Sequence, residues 1–329
     1  MFDYNYAGFL IDLMTELESE VNQPLETYRP KPFIIIALTL AAVLIGFQFI
    51  GPLIGFFLYA PFYSGDMIQM AEGIQNPLQH PEIKMLLFVM QGVGACIGLI
   101  LIPLYIRKWS QTDEKILEQP FYAFPFTLVI ITVIVFMGLN SIFIEWNQEF
   151  KFPQAFGGLE ESLRAMEDQL NTLTAYLTTF DSTAQVVVAF IVIAILPAIG
   201  EELVFRGILQ KELFRSTKNP HLSIWIAAAI FSAIHLQFYG FVPRMFLGAM
   251  FGYLYYWSGN LMVSMLAHFV NNGFTVIALY LHQQKLMDID IESTASAPWQ
   301  AVLFSAIFTF VLLYSFRKFY QQKNLTTSA

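Results

Sequence analysis

Long apolar stretches, separated by short polar ones, run through most of this chain of 329 residues. Each stretch approaches the ~20 residues that an α-helix needs to cross a bilayer. The pattern predicts an all-α membrane protein, with about eight transmembrane helices gathered in one bundle domain over residues 33–329. The predicted spans are about 33–60, 84–106, 121–145, 183–215, 221–238, 242–257, 260–281 and 299–316.

Two polar stretches carry apolar residues at helical spacing and predict amphipathic helices. The first, over residues 1–32, is expected to form a cytoplasmic N-terminal segment. The second lies in the loop 146–182 on the outer side, where Glu167 and Asp168 fall opposite the apolar stripe. This helix could cover the bundle along the membrane surface or pair with another helix as a short coiled coil. Its stripe consists of Leu159, Leu163, Met166, Leu170, Leu173 and Leu177.

Charge and composition orient the bundle and exclude some functions. With both termini in the cytoplasm, 12 lysines and arginines lie on the cytoplasmic side and 5 on the outer side, together the 17 of the chain. The chain is 56% hydrophobic and 13% charged, against about 25% charged in soluble domains. The net charge of −8 speaks against a nucleic-acid partner. Residues 1–30 show no cleavable signal peptide, and we expect an integral protein of a bacterial inner membrane.

Charged residues in the apolar span 183–215 indicate a candidate site. Glu201, Glu202 and Arg206 follow an uncharged run, and a charge at a membrane-helix centre costs roughly 2.5–3.5 kcal/mol on insertion scales. Two later spans each carry one histidine, His235 and His268. Glu201 and His235 lie equally far from a turn centred on residue 218, so antiparallel helices would place them at one depth.

The i, i+4 spacing suggests a separate role for each of these side chains. Glu202 should pair with Arg206, which leaves Glu201 to accept a proton from water. His268 and Asn272 point the same way and could donate hydrogen bonds to a developing oxyanion. Simpler interpretations stay open, because the ion pair could be purely structural and each histidine could be a hydrogen-bonded packing residue.

Pro197 precedes the acidic pair by one helical turn. Because proline has no N–H, it cannot donate to the carbonyl of Ile193. We expect the helix to kink or loosen just before Glu201 and to admit water there.

Three motifs, in order, resemble the signature of the CPBP family of intramembrane proteases. They are Glu201-Glu202-Leu-Val-Phe-Arg206, Phe231-Ser-Ala-Ile-His235 and His268-Phe-Val-Asn-Asn272. This family includes the type II CAAX prenyl endopeptidases and the bacterial Abi-type proteins. The resemblance covers about residues 183–285, which it marks as the catalytic core.

The resemblance implies an intramembrane endopeptidase that hydrolyses a membrane-associated or lipidated peptide. Glu201 would activate water, and Glu202 would steady Arg206. His235 would hold that water or a metal, while His268 and Asn272 would polarise the scissile carbonyl. The expected partners are membrane lipid and a peptide or lipidated protein substrate.

The cofactor and the class of function stay open at this point. Glu201, His235 and His268 form an acceptable Zn²⁺ set with one position left for water, yet the same groups could act without a metal. A non-enzymatic immunity or scaffold protein could keep the motifs for helix packing. A proton-coupled transporter is also conceivable, although the buried polar groups are confined to the second half of the chain.

Overall fold

The computed structural model describes residues 29–112, 122–287 and 293–327. Within these ranges the secondary structure is helical, with turns and no strand. The chain divides into two units, 1–31 and 32–329. The first contributes only residues 29–31 to the described ranges, so the predicted N-terminal amphipathic helix lies outside them.

Ten helices build the described part of the second unit. Several of these helices include short 3₁₀ or π-helical segments that do not end the helix. The ten helices are α1 (Pro32–Phe62), α2 (Met67–Gln75), α3 (Pro81–Trp109), α4 (Ala123–Gln148), α5 (Gly157–Thr178), α6 (Thr183–Thr217), α7 (Pro220–Ala233), α8 (Phe241–Ser258), α9 (Leu261–Gln283) and α10 (Trp299–Thr327).

Six of these helices are long and apolar enough to cross a membrane, namely α1, α3, α4, α6, α9 and α10. Each of the eight predicted apolar stretches does contain a helix. Two of those helices, α7 and α8, are not among the six. The all-helical membrane fold is confirmed, whereas the count of eight and the cytoplasmic position of both termini remain predictions.

The turn between α6 and α7 lies where the sequence predicts it. Lys218 adopts a left-handed conformation with φ 56°. The side chain of Asn219 then accepts hydrogen bonds from the backbone N–H groups of His221 and Leu222 and so caps α7. The α6–α7 hairpin that brings Glu201 and His235 towards each other therefore forms.

The prediction of one span over 221–238 is wrong at its second end. Helix α7 stops at Ala233, and Leu236 adopts a left-handed φ of 57°. Its 14 residues rise only ~21 Å, less than the ~30 Å of a hydrocarbon core. The chain then turns back through a loop over residues 234–240, the His235 loop.

Non-helical backbone at such a depth must be hydrogen-bonded inside the protein, and two side chains do this for the His235 loop. Asn147 of α4 donates to the carbonyl of Phe238 and accepts from the N–H of Val242. Glu167 of α5 accepts from the N–H of Tyr239.

Helix α5 packs on the bundle against the His235 loop and α9. Glu167, which the sequence places opposite the apolar stripe, is only 7% exposed, and its carboxylate accepts a hydrogen bond from the loop. Leu159 and Leu173, on the apolar stripe, are instead exposed. This packing agrees with the interpretation of α5 as a cover.

Candidate active site

Two π-helical segments interrupt α6 on either side of the acidic pair. They cover Phe190–Ile195 and Phe205–Leu209, and regular α-helix over Leu196–Val204 lies between them. Such π-bulges occur frequently at functional sites. They change the direction in which successive side chains project, and so help to bring both glutamates and Arg206 into the bundle.

The carbonyl that Pro197 leaves open has a partner from another helix. The amide of Asn272 on α9 donates to the carbonyl oxygen of Ile193 at 3.1 Å. Asn272 therefore stabilises the irregular turn before Glu201. Its own side-chain oxygen accepts from Asn271. Among the described residues Asn272 forms no hydrogen bond with the acidic pair or with His268.

Close packing of α6 against α3 fixes the position of the acidic segment. A Cβ atom on Gly200 would lie 2.4 Å from the Cβ atom of Leu99 on α3. Any larger side chain would force the two helices apart. Gly200 thus sets the position of the backbone that carries Glu201.

Glu202 and Arg206 form the predicted ion pair, deep inside the bundle. Nη1 of Arg206 donates to Oε1 of Glu202 at 2.6 Å, and the two side chains are 0% and 1% exposed. Nη2 of Arg206 donates to the carbonyl of Gly248 on α8, also at 2.6 Å. The guanidinium lies over the rings of Phe231 and Phe251. These contacts supply part of the hydrogen bonds that a buried ion pair requires, while Oε2 of Glu202 is buried and has no hydrogen-bond partner among the described residues.

His268 bonds to the same carboxylate. Its Nδ1 lies 2.9 Å from Oε1 of Glu202. Because an ionised carboxylate only accepts hydrogen bonds, Nδ1 carries the proton and Nε2 of the neutral ring is an acceptor. The ring of Phe251 stacks against the imidazole at a centroid distance of 5.3 Å. Glu202 therefore orients His268 as well as Arg206, which the sequence does not predict.

Glu201 faces His268 across a gap. Oε2 of Glu201 lies 3.8 Å from Nε2 of His268, and the Glu201 side chain keeps 16% exposure. This carboxylate therefore keeps an accessible surface, whereas Glu202 is closed off. Two acceptors that face each other at this separation are satisfied by a donor between them, such as a water molecule that gives one hydrogen to each.

His235 lies beside this pair, at the end of α7. Its Nδ1 donates to the carbonyl of Phe231 at 2.8 Å, which makes Nε2 the acceptor of the neutral ring. The imidazole lies within electrostatic range of Glu201, His268 and Arg244. The structure thus brings the four side chains Glu201, Glu202, Arg206 and His268 into one network and places His235 next to it.

Comparisons with known proteins agree with this arrangement. Residues 183–274 match a family model described as type II CAAX prenyl endopeptidase Rce1-like. The membrane-embedded CAAX protease MroQ of Staphylococcus aureus is 26% identical over 211 residues, which cover 62% of this chain and 76% of that protein. These matches, together with the three motifs, support a CPBP-type intramembrane protease, and the family match itself is confined to residues 183–274.

A second relative extends the match to another bacterium. The uncharacterized protein YpbD of Bacillus subtilis is 34% identical over 84 residues, 24% of this chain and 40% of that protein. No solved structure matches the chain significantly. The apolar helices and these bacterial relatives identify this chain as an integral bacterial membrane protein.

The side chains of the expected Zn²⁺ set present suitable donor atoms, and Glu201 and His268 lie 3.8 Å apart. Nε2 of both histidines and the carboxylate of Glu201 are acceptors, and each Nδ1 is anchored to an oxygen, as in metal sites. Tetrahedral zinc ligands at 2.0–2.2 Å lie roughly 3.4 Å from each other. The described residues contain no group of three or more His, Cys, Asp and Glu side chains that could hold a metal ion. Zn²⁺ binding by Glu201, His235 and His268 therefore stays a prediction.

Sequence reasoning missed three contributors to this candidate site. The carbonyls of Gly248 and Gly252 accept from Arg206 and Gln210, so two i, i+4 pairs join α6 to α8. Backbone acceptors leave no sequence signal. Arg244 does, because it is a charge at the start of the apolar stretch 242–257, but its nearness to Glu201 depends on the His235 loop.

Proposed function

We propose that this protein is an endopeptidase that hydrolyses a peptide bond of a membrane-associated or lipidated substrate, with Glu201 as the base that activates water. One observation carries the proposal. Glu201 and His268 present two acceptor atoms 3.8 Å apart, where the Glu201 carboxylate keeps an accessible surface, inside the segment that matches the family model.

In the proposed mechanism a water molecule is the nucleophile. A water molecule donates one hydrogen to Glu201 and one to His268. Glu201 takes its proton as the water oxygen attacks the peptide carbonyl carbon, and the resulting carboxylic acid later gives that proton to the departing amine nitrogen. A positioned base of this kind contributes about 10²- to 10⁴-fold to the rate.

The network behind His268 keeps this arrangement in place. Glu202 holds Nδ1 of His268, and Arg206 holds Glu202 and the carbonyl of Gly248. His268 therefore presents Nε2 in one direction without reorganisation. This preorganisation lowers the activation free energy of hydrolysis, because the groups need not be ordered during the reaction.

An apolar cavity of about 640 Å³ supports an apolar or lipid-modified substrate. Its wall includes Ala198 and Met265, which lie one helical turn from Glu201 and His268. All the residues that line it are apolar, as a hydrocarbon chain or an apolar peptide segment requires. The other lining residues are Ile100, Leu104, Phe126, Ile195, Ile199, Leu203, Met262, Leu266 and Phe269.

The test is cleavage by purified protein in liposomes, with one fluorogenic peptide offered in a farnesylated and an unmodified form. We expect wild-type protein to cleave the farnesylated peptide and Glu201→Gln to lose at least ~100-fold in kcat. Glu145→Gln, a change at the far end of α4, is the matched control. Equal rates for wild type and Glu201→Gln would show that Glu201 is not the base.

A scaffold or immunity role is the second candidate, favoured by the complete burial of Glu202 and Arg206. Such a role requires the network for folding only. It predicts that Glu201→Gln keeps both the fold and the biological effect. Thermal unfolding measured beside cleavage separates the two candidates, since the enzyme requires a folded but inactive Glu201→Gln protein.

A further inference from the structure

Arg244 has a buried donor without a partner. It lies in the first turn of α8, where Nη2 donates to Oε1 of Gln237 at 2.7 Å. Nη1 is buried and makes no hydrogen bond within the described residues. An unsatisfied buried donor on a charged group costs more free energy than one on a neutral group. Such a group requires an explanation.

The surrounding loop is shaped to hold this guanidinium. A Cβ atom on Gly240 would lie 3.1 Å from Nη2 of Arg244 and 3.5 Å from its Cζ and Nη1 atoms, so glycine leaves the space that the side chain occupies. Gln237, which accepts from Arg244, donates at 3.4 Å to Glu167 and to Asn171 of α5. Helix α5 thus holds the loop, and the loop holds Arg244.

Arg244 is linked to the site through the His235 loop, since Gln237 of that loop accepts its hydrogen bond. The loop that contacts it begins with His235, and Arg244 interacts electrostatically with Glu167, Glu201 and His235. Among the described residues it forms no ion pair within 4.0 Å, unlike Arg206. A positive charge therefore stands near the water-activating carboxylate without being neutralised by it.

The proposed hydrolysis lacks a donor for the carbonyl oxygen, and the expected candidates are engaged elsewhere. Nδ1 of His268 bonds to Glu202, while Nε2 faces Glu201. Asn272 bonds to the carbonyl of Ile193. Both terminal nitrogens of Arg206 are bound within the bundle.

We propose that Nη1 of Arg244 binds the carbonyl oxygen of the scissile peptide and stabilises its negative charge in the tetrahedral intermediate. This inference rests on the proposed function. When the water oxygen bonds to the carbonyl carbon, the π electron pair moves to the carbonyl oxygen, which accepts a hydrogen bond from Arg244. The pair returns as the C–N bond breaks, and the nitrogen takes the proton held by Glu201. Gln237 and Glu167 are positioning residues.

The test compares Arg244→Gln, Arg244→Lys and wild type on the peptide that wild type cleaves. Because the bond strengthens only in the transition state, we expect Arg244→Gln to lower kcat about 100-fold with KM within twofold. Arg244→Lys should recover part of this loss. A phosphonate analogue of the peptide, which carries the anionic oxygen, should bind Arg244→Gln about 100-fold more weakly than wild type.

Arg164→Gln is the matched control. Arg164 stacks on Tyr239 of the same loop and pairs with Glu160, so its removal takes a positive charge from the same region. We expect a kcat within twofold of wild type. If Arg244→Gln does not fold, Gln237→Ala replaces it, with an expected three- to tenfold loss of kcat through the released Nη2.

Three results would overturn the inference. They are an unchanged kcat in folded Arg244→Gln, a higher KM at unchanged kcat, and an unchanged kcat in Gln237→Ala where only that variant folds. The Glu201→Gln protein, run in parallel, tells the two proposals apart. If it is inactive while Arg244→Gln is fully active, only the role of Arg244 fails. If Glu201→Gln cleaves as wild type does, the proposed function itself fails.

Discussion

Glu201 and Glu202 are neighbours in sequence, yet they lie in opposite environments. Glu202 is fully buried and binds Arg206 and His268 through one oxygen. Glu201 keeps 16% exposure and has a histidine nitrogen at 3.8 Å, too far for a direct hydrogen bond. The ~100° rotation between successive helical residues is enough to separate them. One carboxylate organises the protein, and the other is left available for chemistry.

Removing Glu202 should have the largest effect on stability. Glu202→Ala leaves Arg206 buried without its counter-charge, and breaking a buried pair in this way costs about 3–5 kcal/mol. Glu201→Gln, the matched neighbour, should change stability by less than about 1 kcal/mol. Thermal unfolding in detergent checks both. Equal losses of stability in the two variants would contradict the assignment of a structural role to Glu202 and a catalytic role to Glu201.

The ion pair can also be removed as a unit. Glu202→Leu combined with Arg206→Met replaces both charges by apolar groups, which is often close to neutral for stability. We expect the double variant to be more stable than Glu202→Leu alone and to remain inactive, since His268 loses the acceptor of Nδ1. A double variant with wild-type kcat would contradict the orienting role of Glu202.

The irregular turn before Glu201 should show a smaller, coupled effect. Asn272→Ala leaves the carbonyl of Ile193 without its donor, at a cost of about 1–3 kcal/mol. Pro197→Ala restores an N–H that can reach this carbonyl along the helix. In the double variant the loss should therefore shrink.

A double-mutant cycle on thermal stability measures this coupling. Strictly additive losses would show that Asn272 and Pro197 act independently. Cleavage rates, followed in the same variants, would show whether the irregular turn also matters for water access to Glu201. A fully active double variant would mean that it does not.

The sequence predicts the parts of this molecule that depend on local pattern. Hydrophobic spans, the turn at residue 218 and the Glu202–Arg206 pair all follow from spacing along one helix or across one turn. It does not predict the end of α7 at Ala233, because the left-handed Leu236 and the anchors from Asn147 and Glu167 are contacts between distant segments. The binding of Asn272 to Ile193 was missed for the same reason, although Pro197 indicated that this carbonyl needed a donor.

Glu167 carries the smallest predicted effect, and it depends on pH. Burial against the His235 loop raises the pKa of this carboxyl above its usual value, while the hydrogen bond from the N–H of Tyr239 opposes the shift. An acid with a raised folded-state pKa binds its proton more readily when folded. Stability should therefore increase as pH falls through the folded pKa, and level off below the unfolded value near ~4.3.

Glu167→Gln should flatten this part of the curve of unfolding temperature against pH, while Glu161→Gln, on the exposed face, should leave it as in wild type. An unchanged slope in Glu167→Gln would mean that α5 does not hold the loop through this carboxyl.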